Sequence, residues 1–544
     1  MTRNRPAGGV VTAVESDAAE AGAEILRAGG NAADAAVAAA FAEGVVNPVR
    51  CGIGGGMMGQ FHDAATGTVR TLWSMGRAPH KAHDRMFTPT GHWGTLFKVE
   101  GSRNQLGYEA SVVPGFVRGA HEAFRRYGSG RITWKEILAP AIRLALDGFV
   151  VYPHAYMMWS PAHNGHDFLG VGPRTITFTD AARQVFTKAG GDFYEIGERL
   201  VQRDYGATLE RIAEHGPEEF YRGETGERIA ADFAANGGYL SMDDLLEFQV
   251  EEYAPLTLDY RGYSLVTEDA PSVGPTFLQI MNTLEGWDLR ALGWNTPEYL
   301  DRVARAMHLA FRDRAAHIGD PQMVDVPLER LLSKEYAATL RAAIENGTDV
   351  ERGDRSGRLS GPAETTHVTV VDGDGNAAGI THSIGSGSGV VTPGLGFLHN
   401  NHMIQFDARP DTPNSIAPWK RPNAGGAPVF VFDGERLLLA MGSPAGGRKA
   451  TAMAQVAANV LDFGMPVDQA VSVDRIHAED LPETVSVEPL FEPRAVVGLA
   501  GKGHRIVLET YTARVEAVHR DPATGVLSGG TDPRGDRGLA VVPS

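Results

Sequence analysis

The sequence predicts an α+β protein, with antiparallel sheets and helices packed outside them. Three observations point there. Glycine and proline are numerous, 66 and 31 of 544 residues, and they stand in short clusters between apolar runs, which is the punctuation of strands and tight turns. The centre of the chain carries helix-spaced amphipathic patterns, whereas both ends carry hairpin patterns. The strand–helix–strand alternation of a parallel sheet is missing. At 43% hydrophobic and 22% charged, the chain can bury a large core without staples.

From the N-terminus, "AAEAGAEILRAGGNAADAAVAAAFAEGVVNP" has Ala and Leu at helical spacing, a Gly-Gly-Asn stop and a second alanine-rich run from Asn31, so it reads as two short helices. The second is almost all small residues and must pack tightly. "CGIGGGMMGQFHDAATGTVRTLW" leads through glycines into a hairpin around "AATGT". From "YGSGRITWKEILAPAIRLALDG" to "LLSKEYAATLRAAIENG" the pattern is mainly helical, interrupted by a strand pair at "LTLDYRGYSLVTED". After a charged run from Glu351 to Glu364, "TTHVTVVDGDGNAAGITHSIG" is a hairpin whose turn is "DGDGN". "GGAPVFVFDGERLLLAMGSP" is a second hairpin and "ATAMAQVAANVLDFG" a helix. "GHRIVLE" and "ARVEAVHRDPATGVLSGGTDPRGDRGLAVV" add short strands, and no internal repeat is evident.

Composition narrows the function. A formal net charge of −17 argues against a nucleic-acid partner and against an anionic membrane surface, since both reward basic patches. Cys51 is the single cysteine, which excludes an intrachain disulfide and reads as a packed apolar thiol. "MTRNRPAGGVVTAVESDAAE" has no apolar core of a signal peptide, and no segment reaches the apolar length of a membrane span. The expectation is a cytoplasmic protein acting on a small molecule.

Two glycine-rich motifs invite a phosphate-binding reading and fail it. "GIGGG" follows a helix and lacks the dinucleotide spacing. In "GSPAGGRKAT", Arg448 separates the glycines from Lys449, and Ala450 stands where a hydroxyl is needed. No His/Cys/Asp/Glu set has zinc-ligand spacing. The threonine pair at Thr365 and Thr366 is different. A threonine at a free N-terminus is both nucleophile and base, because its own α-amine takes the Oγ proton, and backbone N–H groups can hold the oxyanion. In the intact chain that nitrogen is an amide, so cleavage between Glu364 and Thr365 would switch the enzyme on.

That segment resembles the start of the small subunit of the γ-glutamyltransferases, self-cleaving N-terminal-nucleophile hydrolases. "ILRAGGNAADAAVAAAFAEGVVNP", "GIGGG", "RITWKEILAPAIRLALDGF", "FYRGETGERIA", "AFRDRAAHIGDP", "GSPAGG" and "DPRGDRG" resemble the family's blocks in the same order. The resemblance implies a four-layer αββα sandwich, two antiparallel sheets between helical layers. It also implies a large segment, residues 1–364, and a small one, residues 365–544, associated as one structural domain after self-cleavage. No metal or cofactor is needed.

Carried over residue by residue, Thr365 is the nucleophile and Ser383 keeps the hydroxyl of a second threonine that supports it. Ala445 and Gly446 match the two glycines whose N–H groups form the oxyanion hole. The glutamyl pocket departs from the pattern. The arginine that grips the α-carboxylate is replaced by Met75, and the two serines by Ala424 and Gly425. The contacts to the α-amine fall at Gly385 and, after Asn401, at His402 and Gln405. Leaving one buried charge unpaired costs ~2–5 kcal/mol, and ~1.4 kcal/mol is tenfold in affinity, so γ-glutamyl recognition should fall by orders of magnitude.

The resemblance thus implies acyl transfer from a small amide or acylated compound to water, as in the family's cephalosporin acylases and oxamate amidohydrolase. Three alternatives stand beside it. A genuine γ-glutamyltransferase would re-register the loop to present Arg77 to the substrate anion. A carbon–carbon hydrolase, known among relatives in 4-alkylproline antibiotic pathways, would need a proton donor such as His382 or His402. An inactive binding relative would have no need of Thr365, Ser383 and "GSPAGG" together. The short loop "DARPDTPNSIAPW" points to an open site and a bulky substrate.

Overall fold

The computed structural model describes residues 8–93, 96–160, 172–347, 365–444, 446–479, 484–509 and 512–543. The alanine-rich N-terminal region forms two helices, Ser16–Arg27 and Ala32–Val46. Asn31 starts the second through a reciprocal capping box: its side chain accepts from the Asp34 N–H at 3.1 Å, and Asp34 Oδ2 accepts from the Asn31 N–H at 3.0 Å. Every residue of Ala32–Val46 is buried, which explains its small side chains. A Cβ on Gly22 would lie 3.1 Å from the Ala35 carbonyl oxygen, so the two helices meet almost backbone to backbone.

Two antiparallel sheets dominate. The first has seven strands in the order Gly538–Val542, Gly9–Ala13, Thr366–Asp372, Ala377–Ser383, Gly56–Asp63, Thr68–Ser74 and Glu251–Tyr253. The second has six, in the order Leu527–Gly530, Glu516–Arg520, Arg436–Gly442, Val429–Asp433, Tyr263–Thr267 and Leu256–Tyr260. Each hairpin expected from turn chemistry is present. The helix read from "ATAMAQVAANVLDFG" begins slightly earlier, at Arg448, and runs to Leu461.

Val10, Val371, Ala377, Phe430, Phe432 and Ala440 pack together between the two sheets. The outer face of the seven-stranded sheet is covered by Ser16–Arg27, Ala32–Val46 and Phe116–Tyr127. Gly274–Leu284, Arg448–Leu461 and Val467–Ser472 pack against strands of the six-stranded sheet. No helix among the described residues is long and apolar enough to cross a membrane.

The hairpin from Thr366 to Ser383 is fixed by its register and its turn. Thr366 pairs with His382 and Val371 with Ala377. Asp372 ties the turn, accepting from the N–H groups of Asp374 and Asn376 at 3.1 and 3.0 Å. Its other oxygen accepts from the Ala32 N–H at 3.0 Å, which fastens the turn to the start of the buried helix.

Candidate active site

Alternation along a strand sends successive side chains to opposite faces, and the hairpin uses both. Thr366 and His382 belong to the helix-covered face. His382 Nε2 lies 2.8 Å from Glu43 Oε2 on the Ala32–Val46 helix, and its ring packs on Phe116. Thr365, His367, Thr381 and Ser383 point the other way, between the sheets.

Thr365 is 3% exposed. Its hydroxyl donates to Ser383 Oγ over a long 3.4 Å, and Ser383 Oγ accepts from the Gly385 N–H at 2.8 Å. Lys449 reaches the same threonine from the start of the Arg448–Leu461 helix, its Nζ donating to Thr365 Oγ1 at 3.1 Å. These side chains open on a cavity of about 10 Å³, lined by Met58, Met75, Thr365, Thr381, Ser383, Gln405, Gly425, Gly426, Gly446 and Lys449. That is room for about one water. Among the described residues, the open, roomy site expected from the short 407–419 loop is therefore not observed.

Gly446 borders the cavity with a left-handed backbone, φ 58°. Ala445, its expected partner, and Glu364, the expected cleavage residue, lie outside the described residues.

The expected head-group positions separate into those at the cavity and those spent elsewhere. Met75 and Ala424 pack with Met58 and Trp73 into a buried apolar cluster, where an arginine and a serine were the family expectation. Gln405 faces the cavity, and its Oε1 has no hydrogen-bond partner among the described residues. Gly385 has φ 70°, and a Cβ there would lie 2.1 Å from Asn401 Oδ1, so it offers the cavity no side chain. Asn401 is engaged with its own loop: Oδ1 accepts from the Ser386 N–H, and Nδ2 donates to Ser386 Oγ and the Gln105 carbonyl.

Arg77 is a correction to the sequence reading. It does not line the cavity. Its guanidinium is paired with Glu251 and donates to Gln322 Oε1 and the Trp419 carbonyl, both at 2.7 Å. Neither histidine considered as a proton donor lines the cavity. Burial pushes His382 down to about 3 and His402 down to about 4. Glu43, opposite His382, is pushed up to about 8 by the same burial. His367 sits between Thr381 Oγ1 and Thr369 Oγ1, 2.8 Å from each. It is pushed down to about 3 by burial and by the charge of Lys449. All three rings are neutral at pH 7.

Lys449, Met58 and Thr381 also line the cavity, and none of them is marked by a motif in the sequence. For Lys449 a signal existed. A helix N-terminus repels cations, yet "RKAT" opens a helix with two of them and no acid in the first turn. Arg448 is paired with Glu509, whereas Lys449 points at the Thr365 hydroxyl.

Among the described residues the cavity is lined by no arginine, no carboxylate and one cation, Lys449. The family model described as gamma-glutamyltranspeptidase matches residues 18–542. An acylase ACY 1 proenzyme of Pseudomonas sp. (strain V22) is 35% identical, over 97% of this chain and 92% of its own length. The glutathione hydrolase proenzyme of Escherichia coli (strain K12) is 32% identical, over 97% of this chain and 90% of its own. Among solved structures, a cephalosporin acylase from Bacillus halodurans superposes with a TM-score of 0.86 at 29% identity, covering 99% of this chain and 96% of that one. The chain belongs to the gamma-glutamyltranspeptidase family.

Proposed function

We propose that the protein is a self-cleaving threonine hydrolase that transfers an uncharged acyl group from a small amide or acylated compound to water. The observation that carries this reading is the surrounding of Thr365 Oγ1: a second hydroxyl, Ser383, a cation, Lys449, and a wall built on Met58 and Met75 where a guanidinium would be needed for a glutamyl carboxylate. Cleavage before Thr365 frees its α-amine as the base. Oγ attacks the substrate carbonyl, the Gly446 and Ala445 N–H groups hold the oxyanion, and water releases the ester. The acylase names among the relatives fit this substrate class better than the glutathione hydrolase names do.

The reading includes the four-layer arrangement of helices, sheet, sheet and helices. It also includes division at Thr365 into segments 1–364 and 365–544 that remain one structural domain. The packing of helices on the outer faces of two stacked sheets supports the first part, and strand pairings between the two segments support a single structural domain.

The test has two readouts. Intact-mass analysis of purified protein should find a small fragment beginning at Thr365, and the Thr365→Ala variant should stay one chain. A panel of p-nitroanilides should show neutral acyl groups turned over faster than γ-glutamyl. Turnover of γ-glutamyl-p-nitroanilide above that of every neutral acyl anilide would overturn the substrate assignment. A wild-type chain that is active while uncleaved would overturn the nucleophile.

A further inference from the structure

We propose that Lys449 is a catalytic residue of self-cleavage, its ammonium stabilising the negative charge that develops on Thr365 Oγ as the chain breaks. The proposal rests on the reading of Thr365 as nucleophile. It identifies a group that acts before the free α-amine exists.

The geometry is specific. Lys449 Nζ donates to Thr365 Oγ1 at 3.1 Å while that hydroxyl points its own proton at Ser383 Oγ, 3.4 Å away. A donor on one side and an acceptor on the other orient the hydroxyl and polarise it in the same sense. The side chain is almost wholly buried, 2% exposed. Taking an ammonium out of water costs several kcal/mol, and a cation in a helix's first turn loses a further ~0.3–1 kcal/mol to the dipole. In that place its ammonium lies within hydrogen-bond reach of the reacting atom.

The problem it solves belongs to the intact chain. There the nitrogen of Thr365 is an acylated amide and cannot accept the hydroxyl proton. During cleavage Oγ bonds to the carbonyl carbon of Glu364, the carbon–nitrogen bond breaks, and the hydroxyl proton ends on the departing nitrogen, which becomes the α-amine. Water then hydrolyses the ester, leaving the Glu364 carboxylate and restoring the hydroxyl. Lys449 keeps its proton throughout. The negative charge on Oγ is greatest when it has lost hydrogen and not yet gained carbon, and in a dry site a preorganised positive charge beside it is worth most. Arg448, one residue earlier, is held by Glu509 and does not line the cavity.

The internal peptide bond is its own substrate, so the test needs no knowledge of the external one. Full-length wild type and the Lys449→Met, Lys449→Arg and Lys449→Ala variants are purified, and the fragment beginning at Thr365 is tracked by mass spectrometry. Removing one charge-stabilising donor typically slows a reaction ~10²–10³-fold, and that slowing is expected for Lys449→Met. Lys449→Arg should keep a larger share of the rate, and methylammonium added to Lys449→Ala should restore part of it, which a merely structural lysine would not allow. Wild-type cleavage in Lys449→Met overturns the proposal. Equal loss in all three variants, with no rescue by methylammonium, overturns it too. Cleavage before position 365 in the Thr365→Ala protein would instead remove the reading beneath it.

Discussion

A Cβ placed on Gly425 would lie 2.9 Å from the Gly446 carbonyl oxygen and 3.0 Å from its Cα, both backbone atoms that cannot swing aside. Gly425 stands where the family resemblance implied a serine, and the two turns have closed on each other in the space that side chain would fill. Gly425→Ser should therefore restore no glutamyl contact. It should push the Gly446 N–H away from the oxyanion and slow self-cleavage by about 10²-fold, the usual penalty for a displacement on the order of 1 Å. Ala424→Ser, whose site lies in the Met58–Trp73–Met75 cluster, should leave cleavage near the wild-type rate. Timed mass spectrometry of the two variants checks this, and equal rates would show that the turn yields. The departures at Met75, Ala424 and Gly425 were legible in the sequence as lost contacts. That Met75 and Ala424 merge into one apolar wall was not, because Ala424 is far along the chain from the Met58–Trp73 hairpin that leads into Met75 and meets it only in the fold.

Hairpins were the most legible elements, since turn residues such as "DGDGN" and "AATGT" fix the pairing locally. The two faces of the Thr366–Ser383 hairpin were less so, because a strand with both sides buried shows no polar alternation. Its helix-side face carries the His382–Glu43 pair, both side chains fully buried, and this burial makes stability depend on pH. Glu43 is held up at about 8 by burial, above its ordinary range, so the folded chain keeps a proton that the unfolded chain has released. Such a group adds stability that is complete below its unfolded pKa and is lost as pH rises through the folded value. For Glu43 the window runs from 4.5 to about 8. His382, pushed down to about 3, acts in the opposite sense between there and its unfolded pKa of about 6.5, and contributes little above pH 7. Between pH 7 and 8 wild-type stability should therefore fall by up to about 1.4 kcal/mol more than that of Glu43→Gln. Urea unfolding at the two pH values measures the difference, and parallel slopes would show that Glu43 is ionised in the fold.

Across the whole molecule, the sequence order and the strand order disagree in a way that no local pattern reveals. Gly9–Ala13 pairs on one side with Gly538–Val542 and on the other with Thr366–Asp372. Gly56–Asp63 pairs with Ala377–Ser383, and Tyr263–Thr267 with Val429–Asp433. Each of these pairings joins the chain before Thr365 to the chain after it. Long-range strand order of this kind is set by which apolar faces fit together, and "GVVTA" alone carries no sign that it will lie between Gly538–Val542 and Thr366–Asp372. The interleaving also fixes what cleavage can do. Breaking one peptide bond removes none of these hydrogen-bonded seams, and separating the fragments would expose edges on both sheets together with the apolar filling between them. The cleaved protein should elute in gel filtration as one particle at the size of the uncleaved Thr365→Ala chain. In urea its fragments should come apart only as the fold is lost, in one transition seen alike by circular dichroism and by fragment separation. Dissociation of the fragments in native buffer would mean that the seams are weaker than the covalent link they flank.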